Sequence, residues 1–282
     1  MSKTLSSVAQ QEFDSMVKHA YQAGGKLRGS LTLRSGVVGD IYKFRRMGKG
    51  LANQKASQAD VTPMDVSHAL INCTLENWLA PEYTDIFDQA EVNFDEQSEL
   101  AKVIAMAMGR REDQLAIDAM GAIPASAGTA QTAIAVGATG FTVDKVRQAG
   151  AAFDTVGMPM EGRCIVWTAT QKQQLLGSVE ATSSDYMNVK ALVNGDIDTF
   201  YGFRFTLIET RDEGGLPGAG TADCTAYAYH KDALGMAVGI DQKTEVNYIA
   251  EKTSWLCNGI LKAGSIVRDA EGVIEIHTSE LV

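Results

Sequence analysis

No stretch of this chain approaches the ~20 consecutive apolar residues that a bilayer-spanning helix needs. Val103–Met108 and Ala133–Val136 are short enough to be core segments. The opening MSKTLSSVAQQEFDS carries no apolar leader, so a cytoplasmic location is expected. Cysteine is scarce and scattered: Cys73, Cys164, Cys224 and Cys257 form no CxxC pair and no other metal-ligand spacing. That excludes a disulfide-stapled mini-fold and a zinc ribbon. Each cysteine lies among apolar neighbours, as in RCIVW and SWLCNGI, and is expected to be a small buried hydrophobe. Aromatic residues are only 7% of the chain, thin for stacking single-stranded nucleic acid.

Catalytic signatures are missing as well. His19, His68, His230 and His277 stand alone, outside any HExxH or HxH context. No GxSxG elbow is present, so Ser178 has no claim as a nucleophile. The small-residue run GAIPASAGTAQTAIAVGATG contains neither GxxxxGK[ST] nor GxGxxG. GGLPGAG at Gly214–Gly220 lacks the helix N-terminus and lysine that would cradle a phosphate, and is expected to be a turn. Asp95 and Glu96 are adjacent and point to different sides of a helix, unlike two carboxylates meeting across a bond. An enzyme, a cofactor and a metal site are all unexpected.

What remains is an ordinary globular composition, with 45% hydrophobic and 21% charged residues in 282, enough for one large domain or two modest ones. Its net charge of −10 is unevenly placed. Lys26 to Lys55 holds eight bases against Asp40 alone, a block of +7, which leaves −17 for the rest. Glu76 to Glu99 holds eight acids and no base. Opposite blocks of this kind attract a second copy of the chain; they are equally consistent with two solvated faces or a pairing within one chain. A basic strip is also the footprint of nucleic-acid binding.

Periodicity predicts a helix from Val8 to Ala23, stopped by Gly24-Gly25. Strand-like runs follow at Ser30–Arg46 and His68–Trp78, enclosing the polar RMGKGLANQKASQADVTP, which describes a protruding hairpin. The longest helix is predicted over Asp95–Met120, capped by Asp95, with Glu96 and Glu99 suiting the macrodipole in its first turn. Its Arg110-Arg111-Glu112-Asp113 is placed on the polar side. A helix to about Phe153, a strand Arg163–Thr168, a helix Thr170–Val179, a strand Cys224–Tyr229, a short helix near His230 and a terminal strand Gly272–His277 complete the pattern. Strands, hairpin and long helix without a βαβα rhythm make the class α+β.

In this order the stretches AYQAGGKLRG, SGVVGDIYKFRRMGKG, DVTPMDVSHA and EYTDIFDQAEVNFDEQSELAKVIAMAMGRREDQL, then RCIVWTATQKQQLL, LVNGDIDTFYGFRF and GSIVRDAEGVIEI, resemble the major capsid proteins of tailed bacteriophages, which have the HK97-like capsid fold. The resemblance covers nearly the whole chain. It implies an N-terminal arm at 1–30, an extended E-loop hairpin at 31–77, and a peripheral (P) domain of 78–161 and 259–282 with a spine helix at 95–120. An axial (A) domain would occupy 162–258. It further implies pentamers and hexamers that close into an icosahedral shell around double-stranded DNA, without sequence-specific binding. A separate scaffolding protein, a portal and possible cement proteins are the implied partners, with no membrane; assembly takes place in the bacterial cytoplasm and the product is the virion capsid. The family lays this hairpin across a neighbouring subunit, which sets the expected contact residues. These are Arg28, Arg34, Lys43, Arg45, Arg46 and Lys49 on one side and Glu82, Asp85, Asp88, Glu91, Asp95, Glu96 and Glu99 on the other. An encapsulin-like shell around protein cargo and a soluble nucleic-acid-binding protein using residues 26–55 are the alternatives.

Overall fold

The computed structural model describes residues 22–87, 95–137, 139–177, 199–219 and 223–279. The helix expected at Val8–Ala23 therefore lies almost wholly outside the described residues. In chain order the elements are β1 (Thr32–Ser35), β2 (Ile41–Met47), β3 (His68–Thr74), β4 (Glu76–Asp85), α1 (Glu96–Gly121), α2 (Val143–Val156) and β5 (Arg163–Trp167). They continue with α3 (Ala169–Gly177), β6 (Thr199–Phe200), β7 (Phe203–Leu207), β8 (Asp223–His230), β9 (Leu234–Ile249), β10 (Ser254–Val267) and β11 (Val273–Ser279). Among the described residues no helix is long and apolar enough to cross a membrane.

Three sheets organise these strands: a four-stranded β1-β9-β10-β4, a five-stranded β11-β8-β5-β7-β6, and the two-stranded pair β2-β3. Helix α1 lies along the first sheet. Its 26 residues span about 39 Å, and the Asp95 side chain caps it by accepting from the Ser98 N–H at 3.4 Å. Ile104, Met108, Ile117 and Met120 form its buried stripe. The close approach of helix and sheet is set at Gly259, where any Cβ would run into Ile104. A second core, with Phe141, Phe153, Ile165, Trp167, Leu175 and Phe203, sits between α2, α3 and the five-stranded sheet. All four cysteines are buried and free.

Several expectations are revised. Glu112 and Asp113 are 3% and 0% exposed, not on a solvated face, because residues 24–31 pack over that side of α1. Gly25 and Gly109 bring the two backbones together; a Cβ on Gly109 would stand 2.5 Å from the Gly25 nitrogen. Within 31–77 the paired strands of the hairpin, β2 and β3, run from Ile41 to Thr74. Gly36 and Gly39, at φ of +72° and +108°, turn the chain between β1 and β2, and β1 pairs in parallel with β9 instead. The run His68–Trp78 is two strands, β4 starting at Glu76 and continuing through Pro81 along the sheet edge, where a missing N–H costs no ladder bond. The short helix near His230 is one 3-10 turn, Lys231–Ala233. After it comes a long hairpin of β9 and β10 that the sequence pattern does not announce. β9 lies beside α1 with the four-stranded sheet, whereas β11 pairs with β8 from Val273↔Tyr229 to Ser279↔Asp223.

Candidate functional site

The β2-β3 hairpin sorts its side chains by the two-residue period of a strand. Register pairs run from Ile41↔Thr74 to Met47↔His68. One face carries Phe44, Ile71 and Cys73, all buried, and packs on the body; the Arg268 guanidinium lies 5.2 Å over the Phe44 ring. The other face points outward with Lys43 and Arg45 among exposed Ile41, Met47 and Leu70.

That alternation separates the basic residues into two groups. Arg46, on the inward face, donates from Nη2 to Asp269 Oδ1 at 3.1 Å, and Lys49 Nζ stands 2.7 Å from Glu271 Oε2. Arg28 is held by Glu112 and Asp241, each at 2.8 Å. The hydrogen bond from Arg28 holds the Asp241 carboxyl below its ordinary value. These three bases are thus engaged within the chain. Arg34, Lys43 and Arg45 are exposed and have no carboxylate at ion-pair distance among the described residues.

The acids occupy the far end of the four-stranded sheet. Glu82 lies opposite Cys257 in the β10 ladder. Ile104 against Gly259 and Arg111 over Trp78, which pairs with Leu261, run the N-terminus of α1 with Asp95 and Glu96 toward Cys257, whose thiol is pushed up by burial first and then by the carboxylates of Glu96, Asp95 and Glu82. Asp85 accepts from the Phe87 N–H at 2.9 Å and Glu99 pairs with Lys102 at 2.8 Å. Asp88 and Glu91 lie outside the described residues. From Cys257 to Gly264, whose backbone meets the base of the hairpin at Thr74, is about 23 Å at ~3.3 Å per residue. The hairpin then runs on past Gly235 and Arg46's contact with Gly128, farther from the acids. Lys43 and Arg45 therefore cannot reach Glu82 or Glu96 of their own chain.

The sequence pattern overlooked a cluster beside those acids. Val246 pairs with Cys257, and Tyr248 with Trp255, whose rings lie 5.3 Å apart. The only signal was the alternation in EVNYI, obscured by polar neighbours. Overlooked too was the buried knot on α1. Asp113 accepts the N–H groups of Lys26 and Leu27 at 3.0 and 2.9 Å and pairs with Arg211 Nη2 at 2.7 Å. Burial raises its carboxyl above the ordinary value. Lys26 also pairs with Glu209.

This is chemistry for holding surfaces together. Among the described residues no group of three His, Cys, Asp or Glu could hold a metal ion, and burial pushes the Cys73 thiol up to about 11. No curated protein matches the sequence. Solved structures do match the fold. A capsid structure of a Helicobacter pylori bacteriophage, KHP30, aligns at a TM-score of 0.78 and 9% identity over 99% of this chain and 97% of that one. The capsid of cyanophage P-SCSP1u aligns at 0.75 and 16% identity over 99% and 95%. Mycobacterium phage Che8 aligns at 0.68 and 16% identity over 95% and 97%. The HK97-like capsid fold is therefore the fold of this chain, and an encapsulin-like shell is not favoured. A family model described as phage capsid protein matches residues 5–280; with nearly the whole chain inside it, this polypeptide belongs to the phage capsid protein family and is a major capsid protein of a tailed bacteriophage.

Proposed function

We propose that copies of this capsid protein join head to tail, the outward face of one hairpin resting on the acidic end of the next copy's four-stranded sheet. Such a contact is heterologous, so repetition generates rings and, with curvature, a closed shell. Pentamers and hexamers closing into an icosahedral container for double-stranded DNA are the assembly this supports. The observation that carries the reading is the separation within one chain: uncompensated Lys43 and Arg45 at one end, Glu82 and Glu96 at least ~23 Å away at the other. In the same reading α1 with the four-stranded sheet is the peripheral unit, and the five-stranded sheet with α2 and α3 is the axial unit. The role is structural and not enzymatic. Assembly takes place in the host cytoplasm with a separate scaffolding protein and a portal, with cement proteins added where the shell needs them.

The test is Lys43→Glu combined with Arg45→Glu. The isolated subunit keeps its fold and thermal transition, because neither side chain has an ion partner among the described residues, while electron microscopy shows few or no shells. Adding Glu82→Lys and Glu96→Lys restores them. Normal shells from the double variant would rule out this pairing; salt-sensitive DNA binding by a monomer that never forms particles would replace it with a nucleic-acid role.

A further inference from the structure

Exposed single ion pairs contribute only ~0–1 kcal/mol each, so charge alone is a weak seat for a hairpin. The structure provides more at the same place. In the distal part of the four-stranded sheet, residues directly paired across strands share a face. Two adjacent rows, Val246–Cys257–Glu82 and Tyr248–Trp255–Thr84, therefore stand on the side that bears α1. Gly259, two residues from Cys257, confirms the side by its contact with Ile104 and Met108. Val246 and Tyr248 are 40% and 46% exposed, just beyond the N-terminus of α1 and its Asp95 and Glu96.

The opposite face of the same sheet end is apolar too, with Leu79 and Tyr83 63% and 43% exposed. It differs in charge. Lys252 Nζ stands 4.0 Å over the Tyr83 ring, and Lys243 shares that face, paired with Glu245. A hairpin bringing Lys43 and Arg45 would meet Lys252 and Lys243 there, balanced by Glu245 and Asp85 on the same face, whereas on the α1 side it meets the carboxylates of Glu82, Asp95 and Glu96. The hairpin's own outward face has the matching composition, with apolar Ile41, Met47 and Leu70 around the two cations.

We infer that the apolar seat for the hairpin of a second copy is the Val246–Tyr248–Trp255 cluster on the α1 side of the sheet, flanked by Glu82 and Glu96, and not the apolar face on the other side. This rests on the head-to-tail reading above and adds the anchor to it. The rigid aromatic pair supplies contact area at low ordering cost, and the carboxylates fix the register of the incoming cations.

The experiment uses shells of the full chain carrying Met47→Cys with Tyr248→Cys, or Met47→Cys with Leu79→Cys, treated with a short bis-maleimide. The native cysteines are buried and stay silent. The first pair is expected to give covalently linked multimers on a denaturing gel, and the second only monomers. Linking through position 79, or through neither position, overturns the seat while leaving the shell reading intact. Failure of the unmodified chain to form shells overturns the shell reading itself. A second measurement does not need cysteine: Tyr248→Ala leaves the unfolding transition of the subunit in place and raises the concentration needed for assembly about tenfold, the size of a modest interface anchor. An unchanged assembly concentration would count against the seat.

Discussion

Single side chains set how this subunit is tied together, and Asp113 shows how easily the sequence misleads there. In the run Arg110-Arg111-Glu112-Asp113 it looks like part of a solvated helix face. Its burial comes from a segment some ninety positions earlier, whose Lys26 and Leu27 N–H groups it accepts, together with Arg211 from a third part of the chain. A carboxylate with 0% exposure is retained only when its partners are all present. Asp113→Ala would leave the Arg211 guanidinium and two backbone donors uncompensated. Breaking such a buried pair costs ~3–5 kcal/mol, and urea unfolding of the unassembled subunit is expected to show a loss of that order. A loss below about 1 kcal/mol would mean that water replaces the carboxylate freely. Arg46 carries a similar warning. Its neighbour Arg45 is free to meet another chain, but Arg46 is committed to Asp269, so a variant reversing both would mix subunit damage with assembly failure.

At the scale of elements, α1 was legible almost to the residue, since its cap, acidic first turn and apolar spacing all agree. The β9-β10 hairpin was not. Gly235, Gly239, Gly259 and Gly264 interrupt the apolar alternation, and register shifts fall between Ile260, Lys262 and Ala263, so the period-2 signal is lost where the strands are longest. Those glycines serve close approaches that only the fold defines. Gly109 is the sharpest case. In an exposed helix interior, Gly→Ala stabilises by roughly 0.5–1 kcal/mol. Here the new methyl would stand 2.5 Å from the backbone nitrogen of Gly25, which cannot rotate aside. Gly109→Ala is therefore expected to destabilise the subunit in spite of its better helix propensity, and to speed amide exchange at Lys26 and Leu27, whose N–H groups Asp113 holds. A stabilised variant with unchanged exchange would show that the two backbones can part without cost.

At the scale of the whole molecule, the proposed head-to-tail contact matches the charge and apolar surface at one end of a copy with those at the other end of the next. Because the contact combines exposed ions with an apolar seat, its response to salt is expected to be graded. Raising ionic strength from 0.1 M to 1 M shortens the screening length from ~10 Å to ~3 Å. Light scattering should then show assembly shifting to higher subunit concentration without disappearing. Complete salt-insensitivity would remove the ionic part, and complete loss would remove the apolar part. The opposite charge blocks, the long helix, the α+β class and the family were all determined by the sequence alone, because they depend on composition and on patterns local to the chain. Tertiary structure alone decided which bases are already engaged by Glu112, Asp269 and Glu271, which aromatic residues gather beside the acids, and to which sheet β11 belongs. Those outcomes depend on contacts between residues as far as 223 positions apart, which local spacing does not encode.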